Sequence, residues 1–70
     1  METIKITPKE EFIKLGQALK AAGAVSSGVE AKIVVSEGLV KVNGEVDQRR
    51  GRKLYSGDHV EFEGYRIEIE

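Results

Sequence analysis

Ser27-Gly28-Val29-Glu30-Ala31-Lys32-Ile33-Val34-Val35-Ser36-Glu37-Gly38-Leu39-Val40-Lys41-Val42-Asn43-Gly44 is the stretch on which the fold turns. Its middle, Ile33-Val34-Val35, is β-branched throughout and by propensity alone reads as a strand. The punctuation around it reads as a helix. Ser27 and Glu30 stand three apart, as in a capping box, and Gly38 suits the left-handed residue that closes a helix. Ala31, Val34 and Val35 also fall on one side of a 3.6-residue spiral. A helix is therefore expected from Gly28 to Gly38. The period then changes. Leu39–Val42 alternates, and Asn43-Gly44 tolerates the two consecutive positive φ values that a two-residue hairpin turn demands. Glu45–Gln48 is expected to return as the partner strand.

Toward the N-terminus, Glu2–Ile6 alternates as a strand with Ile4 and Ile6 inward. Thr7-Pro8-Lys9-Glu10 reads as a helix start, with Thr7 as cap, Pro8 in the first position and Glu10 closing a box. Phe12, Leu15, Leu19 and Ala22 would form its buried stripe, and Gly23 its stop. Toward the C-terminus, Arg49-Arg50-Gly51-Arg52-Lys53 reads as an exposed loop and Ser56-Gly57-Asp58 as a turn with Asp58 accepting backbone hydrogen bonds. His59–Phe62 and Tyr65–Ile69 read as two strands about Glu63-Gly64. The order is an N-terminal strand, two short helices, a β-hairpin and further antiparallel strands. The class is α+β, in one domain over residues 1–70.

Seventy residues leave no room for a second core, and 40% hydrophobic with 33% charged residues fits a folded, soluble chain. With no Cys, neither disulfides nor thiolate metal sites contribute. No apolar run approaches the roughly 18 residues of a membrane span, so a cytoplasmic protein is expected. The net charge of −1 hides an asymmetry. Residues 14–53 carry eight Lys and Arg against four acids, whereas residues 54–70 carry one Arg against five acids. A local basic field, not the total, steers a polyanion to a surface.

Lys14-Leu15, Leu19, Gly23, Ser27, Ala31, Val34, Val35, Gly38, Val40, Val42, Asn43-Gly44 and Gly57-Asp58 together resemble the RNA-binding domain named after small-subunit ribosomal protein four, the S-four domain. The likeness runs without gaps from Lys14 to Gly44 and covers about two-thirds of the chain. Gly28-Val29-Glu30-Ala31-Lys32 and the Arg49–Lys53 cluster are similar to the small stand-alone bacterial members. The resemblance implies two short helices and a hairpin, the αL RNA-binding motif, and a role in holding RNA. Where the wider family usually has an RNA-facing Arg, this chain has Gly28. Around the first helix's Leu it has Lys14 and Gly16 instead of Arg and Asp.

Phosphates require cations on one face, and Arg can take two phosphate oxygens in one planar fork. The residues expected to meet RNA are Lys14, Lys20, Ser27, Gly28, Lys32, Asn43, Gly44, Arg49, Arg50, Arg52 and Lys53. Ser27 and Gly28 open a helix N-terminus, and Lys32 lies one turn beyond Gly28. Phe12 and Phe62 are expected in the core, leaving no aromatic platform for single strands. Reversing Arg49, Arg50 and Arg52 together is expected to abolish binding with the fold intact.

Catalysis is not expected. There is one His, no Cys, no phosphate loop and no room for an enclosed pocket. No catalytic residue, metal ligand or cofactor is assigned. The expected partner is structured RNA, ribosomal or transfer, bound by a monomer. A protein partner on the acidic C-terminal strands is expected beside it, and a protein adaptor without RNA binding is the alternative.

Overall fold

In the computed structural model, which describes residues 2–70, the chain runs β1 (Glu2–Ile6), β2 (Ile13–Lys14), α1 (Leu15–Ala21), α2 (Gly28–Ser36), β3 (Lys41–Val42), β4 (Glu45–Val46), β5 (Lys53–Leu54), β6 (His59–Phe62) and β7 (Tyr65–Ile69). Five strands form a mixed sheet in the order β1-β7-β6-β3-β4, and β2 pairs with β5 as a separate antiparallel ribbon. The class is α+β, as the sequence predicts.

The stretch 27–44 folds as its punctuation dictates. Ser27 caps α2, its Oγ accepting the Glu30 N–H at 3.1 Å. The Glu30 carboxylate makes a different reciprocal contact from the one expected. It accepts from the N–H and Oγ–H of Ser26, one residue earlier. Gly38, at φ +76°, closes the helix, with its N–H on the Val35 carbonyl and that of Leu39 on the Val34 carbonyl. That pair of bonds satisfies the last carbonyls of a helix. Asn43 and Gly44 both have positive φ, and the hairpin they close is shorter than predicted. Glu45–Val46 pairs, and Asp47 then turns into the interior.

The first helix departs from its sequence signal. Thr7–Glu10 does not start a helix; α1 begins only at Leu15. A local cap competes here with a tertiary one. Ile13 and Lys14 are held as a strand opposite Leu54 and Lys53, and the N–H groups of Leu15 and Gly16 donate to the carbonyls of Arg52 and Arg50, at 2.8 and 3.0 Å. Two orphan donors of the helix start are thus satisfied by the arginine-rich segment. Gln17 adds a third contact, its Oε1 accepting the Lys14 N–H at 3.2 Å.

The core lies between the helices and the inner sheet face. Leu15, Ala18 and Leu19 of α1 and Ala31 and Val35 of α2 are fully buried with Val42, Val60 and Ile67 of the sheet. Burial of side chains of this size is worth about 1.5–3 kcal/mol each. Phe62 is in the core; Phe12 is half-buried and outside it, contrary to expectation. β1 pairs in parallel with β7, Ile4 opposite Ile67 and Ile6 opposite Ile69, which the intervening helices permit by carrying the chain back across the sheet.

Asn43 does more than turn the hairpin. Its Nδ2 donates to Asp58 Oδ1 and its Oδ1 accepts the His59 N–H, both at 3.0 Å, while Asp58 Oδ2 accepts the Tyr55 N–H as expected of a turn residue. Asn43→Ala removes both links and puts a Cβ residue less suited to φ +52° in their place. A loss of about 2 kcal/mol is expected, with the melting temperature about 10 °C lower. Thermal unfolding followed by circular dichroism checks this; an unchanged melting temperature would show that the side chain is dispensable.

Candidate nucleic-acid interface

The arginine-rich segment is anchored more firmly than a solvated loop. Asp47, only 6% exposed, lies beneath it. Its Oδ1 accepts the N–H and Nε–H of Arg49, at 2.9 and 3.1 Å, and its Oδ2 accepts from Arg49 Nη2 at 2.9 Å and Arg52 Nη1 at 2.7 Å. The Arg49 guanidinium foremost, with Arg52 and the Arg49 N–H, holds this carboxyl far below its ordinary 3.8, against the upward push of burial. Asp47 therefore stays ionised at neutral pH and consumes part of two cations. Arg52 is half-buried and Lys53 belongs to β5, so neither lies in a free loop. Reversing all three arginines would surround Asp47 with two new carboxylates. The fold would not be left intact.

Arg50 stands apart. No carboxylate pairs with it or with Lys20 among the described residues. Its side chain lies across Gly16, where a Cβ would come within 2.8 Å of Arg50 Cγ. Gly16 is thus a steric slot, and sequence reasoning passed it over as a mere departure from a pattern. The result is a shallow cleft of about 230 Å³ lined by Gly16, Gln17, Lys20, Gly28, Ala31 and Arg50. Lys20 from α1, Arg50 from the arginine-rich segment and the opening of α2 converge there. A Cβ at Gly28 would meet nothing within 4 Å, so that end of the cleft is open to a ligand backbone.

Lys32 is exposed and, although it does not line the cleft, sits one helical turn beyond Gly28 on the same flank of α2. Glu30 and Glu37 lie on the other flank by the same 100° rotation per residue. Lys14 and Lys53 are exposed and directly opposite each other on the β2–β5 ribbon. Asn43 and Gly44 are exposed at the hairpin tip, but the Asn43 amide is engaged by Asp58 and His59. Ser27 is likewise engaged as a cap.

The outer sheet face differs in character. Register aligns Thr3, Arg66, Glu61 and Lys41 in one row, and Lys5, Glu68 and His59 in the next. Glu61 stands between Arg66 and Lys41, Glu68 lies opposite Lys5, and Arg66 Nε reaches Glu68 Oε2 at 2.9 Å. Glu61 and Glu68 therefore each have a cation opposite them in the sheet register. Among the described residues no group of three His, Asp or Glu could hold a metal ion, and no helix is long and apolar enough to cross a membrane.

The sequence model of the S4 domain matches residues 4–70. The chain belongs to the S4 domain family. Within it, the chain is 58% identical over 55 residues to the probable ribosome maturation protein RlbA of Bacillus subtilis (strain 168), covering 79% of this chain and 78% of RlbA. It is 38% identical over 61 residues to YbcJ of Escherichia coli (strain K12), 87% of each chain. The solution structure of YbcJ, described as revealing an αL motif involved in RNA binding, superposes with a TM-score of 0.68 at 36% identity, covering 99% of this chain and 86% of YbcJ. The family match thus takes in most of β1 and all of the flanking strands β6 and β7.

Proposed function

We propose that this S4 domain binds structured RNA without catalysis, through the flank on which α1, α2 and the arginine-rich segment meet. The observation that carries the reading is the convergence of Lys20 and Arg50, neither paired to a carboxylate among the described residues, on one cleft open at Gly28. Folded RNA is recognised chiefly by shape and by contacts to phosphate and 2′-hydroxyl groups, and cations around a shallow cleft suit that task. Lys32 above the cleft, and Arg49 with a side chain 73% exposed despite its bond to Asp47, extend the field. The name of RlbA supports ribosomal RNA as the class, encountered in the cytoplasm where ribosomes are assembled. The outer sheet face, where acids and cations are interleaved, gives no comparable support to a protein adaptor.

Titrating ribosomal RNA fragments into isotope-labelled protein tests this. Amide shifts are expected at 16–20, 27–32 and 49–53, with the outer sheet face unmoved. If three to five phosphates are engaged, log affinity should fall against log salt with a slope of roughly 0.7–0.9 per contact. Affinity indifferent to salt, or shifts confined to β1, β6 and β7, would overturn the assignment.

A further inference from the structure

We infer that the β2–β5 ribbon carries a seat for an unpaired nucleotide, with Tyr55, backed by Phe12, receiving the base and Lys14 and Lys53 its phosphates. The inference rests on the RNA-binding reading above and adds a second kind of contact to it. Pairing of Ile13 with Leu54 and of Lys14 with Lys53 puts alternate residues of each strand on opposite faces. Leu54 is fully buried and Ile13 packs on the core, so the ribbon's other face looks outward. That outward face carries Phe12, Lys14, Lys53 and Tyr55. Three of these residues lie close together. The Phe12 and Tyr55 rings lie 6.0 Å apart at 58°, and Lys53 Nζ stands 4.7 Å over the Phe12 centroid.

Two features of this face are costly in the free protein. Like charges directly opposite on a strand pair repel, and no carboxylate pairs with Lys14 or Lys53 among the described residues. Tyr55 is also among the exposed large hydrophobic residues, at 42%. An unpaired nucleotide relieves both at once. Its base offers a π-face to Tyr55, and its phosphates sit between two ammonium groups. A fully paired duplex cannot do this, because its bases are stacked on each other. The position is also continuous with the cleft. Lys14 immediately precedes α1 and Lys53 immediately follows Arg52, whose carbonyl receives the Leu15 N–H at 2.8 Å.

The test compares two RNAs of equal length, a fully paired duplex and a hairpin with an unpaired loop, against the full chain and its Tyr55→Leu and Tyr55→Phe variants. The hairpin should bind the unaltered protein about tenfold more tightly than the duplex, in the range reported for one stacked base. Tyr55→Leu should erase that preference while leaving duplex affinity and the melting temperature unchanged. Tyr55→Phe should keep it, since the ring remains. Equal affinity for both RNAs, or a preference that survives Tyr55→Leu, would overturn the nucleotide seat and leave the cleft reading standing. Failure of both RNAs to bind would instead reject RNA binding itself.

Discussion

Asp47→Ala should lower the free energy of unfolding by about 3 kcal/mol and the melting temperature by about 15 °C. The side chain accepts four hydrogen bonds from Arg49 and Arg52 and is almost wholly buried. Hydrogen bonds to charged groups are worth about 1.5–3 kcal/mol each in favourable cases, and removal of one partner leaves the half-buried Arg52 without a counter-charge. For a chain of this length total stability is only about 4–10 kcal/mol, so the loss is a large share of it. The pH dependence has a definite sign. The folded-state value of Asp47 lies below its ordinary 3.8, so its contribution is complete above that value and is lost as pH falls below it. The stability gap between the native protein and Asp47→Asn should therefore be constant from neutral pH down to about 5 and narrow below 4. Chemical denaturation across that range measures it. A gap that opened on acidification, or a variant as stable as the parent, would remove Asp47 from this role.

Charge reversal in the cleft is the second large effect. Lys20→Glu with Arg50→Glu should weaken RNA affinity by about a hundredfold or more at moderate salt, and reduce the salt slope by roughly 1.4–1.8, the value for two lost phosphate contacts. Both side chains are exposed and neither is paired to a carboxylate among the described residues, so the melting temperature should hold. Lys5→Glu with Lys9→Glu makes the same change in net charge on exposed residues outside the cleft and should cost far less. Equal losses for the two pairs would mean that only total charge matters. Arg50 is the better choice of arginine because Asp47 leaves it alone and Gly16 makes room for it.

The elements most legible in the sequence were those whose boundaries are decided locally. α2 is bounded by Ser27 and Gly38, and the hairpin by Asn43-Gly44. In each case a side chain or a positive φ within a few residues settles the backbone. The β6–β7 hairpin was legible for the same reason, through its alternation about Glu63-Gly64, both at positive φ. The start of α1 was not. Thr7-Pro8-Lys9-Glu10 has the composition of a cap, but α1 starts only at Leu15, where the N–H groups of Leu15 and Gly16 donate to the carbonyls of Arg52 and Arg50. The family resemblance gathered these cations into one list without ranking them. Lys20 and Arg50 share a cleft, Arg49 and Arg52 are held by a buried acid, and Lys14 and Lys53 stand on the ribbon with Phe12.

By itself, then, the chain of residues determined the α+β class, the helix α2, the turns and the basic centre, because periodicity, caps and turn chemistry act over short sequence distances. Only tertiary structure decided where α1 begins, that Asp47 is buried, that Gly16 admits Arg50, and that Phe12 joins Tyr55 outside the core. Each of those outcomes depends on groups far apart in sequence meeting in space, and no local pattern encodes such a meeting.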